Sequence, residues 1–150
     1  MNSHVQSSDI EKAALFTGVI NALINGIINW FQVKGKTELF LTVDSISTRE
    51  HTVLGSAVLL ATTLAIILTS IGYFTFKAQN KPAYYPKAFY LTLKNAFFTF
   101  GILTTLSILL QRFAGSISVS PITAAIIVAV IAGIVAGTVD YMTKKELIKK

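Results

Sequence analysis

Four stretches of the chain carry no Asp, Glu, Lys or Arg: residues 13–33, 52–76, 95–111 and 113–139. A helix needs roughly 20 apolar residues to cross a hydrocarbon core of about 30 Å. Three of the stretches are long enough alone, and 95–111 reaches full length if Lys94 snorkels to the headgroups and the helix starts near Ala88. The pattern predicts an all-α integral membrane protein, with a single domain of four transmembrane helices in an antiparallel bundle. The helices are expected over about 11–32, 49–77, 88–112 and 120–142.

The connecting segments carry their own signals. In "ELFLTV", Leu39, Leu41 and Val43 alternate onto one side, which suits a short strand or an interfacial segment. "STRE" places Ser47 and Glu50 at capping-box spacing, so the second helix is expected to begin there. Two prolines in "AQNKPAYYPK" stop helix continuation. Ser120-Pro121 reads as N-cap and first helical position, where the missing N–H of proline costs nothing. The flank of the first span, Asp9, Glu11 and Lys12, is not the positive n-region of a signal peptide, so that span is expected to be retained.

Composition sharpens the class. Of the 150 residues 53% are hydrophobic and 13% charged, against about 25% charged in soluble domains. With no cysteine, disulfides, thiol catalysis and thiolate metal sites are excluded. Only His4 and His51 are present, so paired intramembrane haem ligands are excluded as well, and no cofactor is expected. The net charge of +6 does not point to nucleic acid, because the basic residues flank the spans. Four spans put both termini and the second loop on one side. That side holds nine Lys (12, 77, 81, 87, 94, 144, 145, 149, 150), and the other holds Lys34, Lys36, Arg49 and Arg112. The positive-inside rule then puts both termini in the cytoplasm and the chain in the cell membrane, with the bilayer as its first partner.

A weak repeat runs through the chain. "SIGYFTFK" (70–77) aligns without gaps on "TVDYMTKK" (138–145), and "SIS" precedes both even-numbered helices. This suggests two tandem helical hairpins of like orientation, related by an axis along the membrane normal. Shared interfacial composition explains the same matches without duplication.

Polar groups inside the spans are the candidate chemistry. Asn21, Asn25 and Asn29 recur every four residues and share a helical face, which Thr17 extends. Facing lipid they would lack partners, so the face must meet protein or water. It either glues helices together or lines a polar path. The second span carries Gly55-Ser56, Thr62-Thr63 and Thr69-Ser70 at sevenfold spacing, a seam suited to the asparagine face. Thr62 and Thr69 are therefore path candidates too.

Ala125, Ala129, Gly133 and Gly137 form a small-residue ladder for close packing. Its partner is either another helix of the chain or a second copy, a homo-oligomer through helix four. Lys94 and Asp140 form a candidate ion pair at the inner level, and Glu50, His51, Gln111 and Arg112 a candidate outer vestibule. No Ser/His/Asp set, carboxylate pair or metal-ligand cluster lies in the spans, which argues against an enzyme. Two functions remain from the sequence: a small permease-like or channel-like protein moving an ion or small polar solute as an oligomer, or a structural, accessory or immunity-type membrane protein without transport.

Overall fold

The computed structural model describes residues 7–42, 52–77 and 83–148. In chain order it contains α1 (Ser7–Val33), β1 (Leu39–Thr42), α2 (Val53–Thr75), a kinked lead-in (Tyr84–Ala88), α3 (Phe89–Ala114), β2 (Ile117–Val119) and α4 (Pro121–Ile148). All four helices are long and apolar enough to span a membrane. Leu39 and Leu41 of the "ELFLTV" segment do lie in a strand. Its Val43, and the capping box at Ser47 and Glu50, fall outside the described residues. The observed cap of α2 is Thr52, whose Oγ1 accepts from Gly55 N–H at 2.9 Å. Ser120 caps α4 as expected, accepting from Thr123 N–H at 3.2 Å. That helix runs past residue 142 to Ile148, because the Asp140–Lys144 pair bridges one turn across its end.

Strands and helix ends fix the directions. β1 pairs antiparallel with β2, so the loops after α1 and α3 meet at one end of the molecule. Tyr73, Ala88 and Leu147 pack together at the other end. Leu39 and Leu41 turn onto the helices and are buried against Val33, Val53, Ala124 and Val128. Gly115 ends α3 at φ 70°, a conformation that favours glycine, and its carbonyl accepts from Thr42 Oγ1 at 2.8 Å.

The order of packing differs from the order of sequence. α1 packs on α4, α4 on α2, and α2 on α3, while α1 and α2 are not packed together and α3 meets α4 only weakly. The asparagine face therefore does not close onto the Ser/Thr seam of α2. The reason is steric fit. A Cβ at Gly18 would lie 2.8 Å from the Gly133 carbonyl oxygen, and one at Gly26 would lie 2.8 Å from Ala129 Cβ. Only glycines admit this approach, and lipid offers no hydrophobic drive to replace it. The ladder of α4 is thus occupied by α1 of the same chain. On its other side Ala61, Ala65, Ala124 and Ala132 have no accessible surface.

Exchanging α1 with α3 and α2 with α4 leaves this packing scheme unchanged. The buried positions Ile10, Ala14 and Gly18 have the same spacing as the buried Ala88, Thr92 and Ala96. This is the relation expected of tandem repeats of like orientation. Each sequence hairpin is splayed, however, and its outer helix leans on the other hairpin.

Gly18→Leu is expected to lower stability by about 1–3 kcal/mol through overpacking. Gly101, whose added Cβ would meet nothing within 4 Å, should accept alanine with equal or higher stability. Thermal unfolding in detergent followed by helical circular dichroism separates the two.

Candidate functional site

Polar groups of the half nearer the two ends of the chain gather around α4. Asp140 is 5% exposed. Its Oδ2 accepts from Thr17 Oγ1 of α1 at 3.2 Å and from Lys144 Nζ, one turn along α4, at 2.5 Å. An isolated buried carboxylate is expensive, and these two partners are what make it tolerable. On the other flank of α4, Asn95 of α3 is 1% exposed and Thr69 and Thr143 are fully buried. Asn95 Nδ2 donates to Thr69 Oγ1 at 3.0 Å and to Thr143 Oγ1 at 3.3 Å, tying α3 to α2 and α4. Gly72 of α2 lies between the two groups. A Cβ there would be 3.3 Å from Thr143 Cγ2 and 3.9 Å from Asp140 Oδ1. All four helices thus contribute to one polar belt.

From the belt the asparagine face runs along α1 towards the end capped by the two strands. Asn21 Nδ2 donates to the Thr17 carbonyl and Asn25 Nδ2 to the Asn21 carbonyl, each at 2.9 Å. Both side chains are half-buried, and neither of these bonds crosses to another helix. Asn29 adds a third half-buried carboxamide, whose Oδ1 is buried without a partner. Asn25, Asn21 and Thr17 thus line up on one face of α1, the asparagines bonded to backbone carbonyls one turn back, and Thr17 joins that face to Asp140 and Lys144. The rise from Thr17 to Asn29 is about 18 Å, over half the hydrocarbon core.

The other sequence candidates divide. Thr69 belongs to the belt, whereas the half-buried Thr62 bonds its own helix at the Val58 carbonyl, 2.8 Å away. Asp140 takes Lys144 as its ion-pair partner, and Lys94 is exposed on α3. Gln111 is half-buried and Arg112 exposed, in the last turn of α3. Glu50 and His51 lie outside the described residues. Gly133 and Gly137 serve packing against α1.

Asn95, Thr143 and Lys144 were not singled out as a group by sequence. A signal existed for the first: Ala88, Leu91, Thr92, Asn95, Ala96 and Thr99 follow a helical period and are the buried face of the third span. Among the described residues no three His, Cys, Asp or Glu side chains are placed to share a metal ion. Chemically the belt offers one carboxylate beside one ammonium, able to exchange a proton or a cation, with carboxamide and hydroxyl groups to solvate it.

The chain matches no family model, no curated protein and no solved structure.

Lys144→Met strips the buried Asp140 of its cation and should destabilise the protein by about 1–3 kcal/mol, less than a fully buried pair because Lys144 retains some water. Lys145→Met should leave the unfolding curve unchanged, since Lys145 is exposed and its hydrogen bond to Tyr141 lies one turn away on the same helix.

Proposed function

We propose that this chain is a small permease-like protein of the cell membrane, moving an ion or small polar solute as an oligomer. The observation that carries the reading is the polar line along α1 that ends on Asp140. Carboxylates within membrane spans are rare and mark ion or proton pathways. The asparagine face is half-buried rather than sealed, so a second copy laid over it would complete a polar path between two chains. Lys144 then competes with the passing cation or proton for Asp140. Gln111 and Arg112, at the opposite end, face the entry side.

A structural or accessory role is the second reading. It is favoured by the bonds that Asn21 and Asn25 make to their own helix, which occupy one donor of each carboxamide without a pathway. The two readings differ in what Asn25→Leu does. Either way its stability cost is near one hydrogen bond, about 1 kcal/mol.

Purified protein in liposomes is expected to pass protons, Na⁺ or a small polar solute above the empty-vesicle rate. Asp140→Asn should cut that flux by roughly tenfold or more, the effect of losing about 1.4 kcal/mol or more of ion stabilisation. Asn25→Leu should also lower it, from a folded protein. Wild-type protein with no flux above background, or flux indifferent to both substitutions, would sink the transport reading.

Orientation has its own check. Because the natural chain has no cysteine, single cysteines at Lys36 and Lys145 report sidedness directly. A membrane-impermeant maleimide applied to intact cells should label position 36 and spare position 145.

A further inference from the structure

We infer that the crevice between α3 and α4 is a binding site for a neutral lipid bearing a free hydroxyl. The weak contact between these two helices leaves a crevice of about 300 Å³. Asn95, Thr99 and Leu103 of α3 line it, facing Val135, Thr138 and Met142 of α4. No charged side chain lines it. A phosphate or ammonium headgroup would find no counter-charge there, whereas a hydrocarbon chain would find apolar walls.

One polar group at the crevice is unsatisfied. Asn95 Oδ1 is buried and has no hydrogen-bond partner. Asn95 Nδ2 donates to both Thr69 Oγ1 and Thr143 Oγ1, and the Thr69 hydroxyl bonds the Ala65 carbonyl at 2.7 Å. Turning the amide around would set its oxygen against that committed hydroxyl and take the nitrogen from both of its acceptors, so the orientation shown keeps the nitrogen on the two threonines and leaves the oxygen orphaned. A buried acceptor without a donor is costly in hydrocarbon. A ligand hydroxyl reaching Oδ1 removes that cost, and its tail follows the apolar walls towards Leu103. Met142, unbranched and adaptable, lines the same crevice and can yield to admit the headgroup. The crevice shares Asn95 with the belt but includes neither the α1 line nor Asp140, so lipid binding there is read out without any measurement of flux.

The test is photolabelling in phosphatidylcholine nanodiscs with a hexadecanol analogue carrying a mid-chain diazirine. Adducts are expected on residues 95–106 and 131–142, the two walls of the crevice. Unlabelled hexadecanol should compete at roughly three- to tenfold lower concentration than hexadecyl methyl ether, which has the same chain but no donor. Leu103→Trp, which fills the crevice without touching Asn95, should remove most of the labelling. Adducts spread evenly over the lipid-facing helices would overturn the inference, as would equal competition by alcohol and ether. The competitor comparison uses the wild-type chain, so it decides the matter even if the tryptophan variant folds poorly.

Discussion

The architecture depends on how closely backbones approach α4. Lipid tails are as apolar as leucine, so helices in a bilayer gain little by hiding apolar surface from each other and must gain by contact instead. α4 supplies that contact on two sides, with Ala129, Gly133 and Gly137 against α1 and Ala124, Ala132 and Val139 in the core it shares with α2 and its neighbours. Large side chains on α4, such as Ile126, Val130 and Ile134, are exposed. Between the seams the few polar side chains become affordable, since each lies where a neighbouring backbone or hydroxyl is within reach.

The polar belt follows from that closeness. Asp140 and Thr143 share a face of α4, and Gly72 lets α2 approach both. Thr17 and Asn95 then occupy matching places on the two outer helices, each hydrogen-bonding to the central pair. The matching is not chemical identity. One side carries a charge stabilised by Lys144, the other a neutral carboxamide held by two hydroxyls. An architecture of near-equivalent halves has thus acquired two different polar centres, one ionic and one neutral.

Much of the fold was legible in the sequence because spans are written in long charge-free runs, and Ser120-Pro121 marked the start of α4 directly. Which helix packs on which was not legible. The sevenfold Ser/Thr seam of α2 made an attractive partner for Asn21 and Asn25, but hydrogen-bonding potential says little about fit, and the glycines of α1 fit α4. Asp140 was visible as an intramembrane charge. Its partner was not, because Lys94 and Lys144 lie at similar depth and only the azimuth of α3, which turns Lys94 outward, separates them. The asparagine stripe was the loudest polar signal, yet its donors bond within one helix, while the less conspicuous Asn95 joins three.

The pairing of α1 with α4 also bears on how the chain is made. Synthesis proceeds from the N-terminus, so α1 enters the bilayer while its packing partner, the last span, is still untranslated. During that interval the face bearing Asn21 and Asn25 has no α4 to cover its glycine seam. The bonds from each carboxamide to the carbonyl one turn earlier need no other helix. They keep one amide donor of each asparagine satisfied in a solitary α1, which lowers the cost of holding the first span in lipid until the fourth arrives.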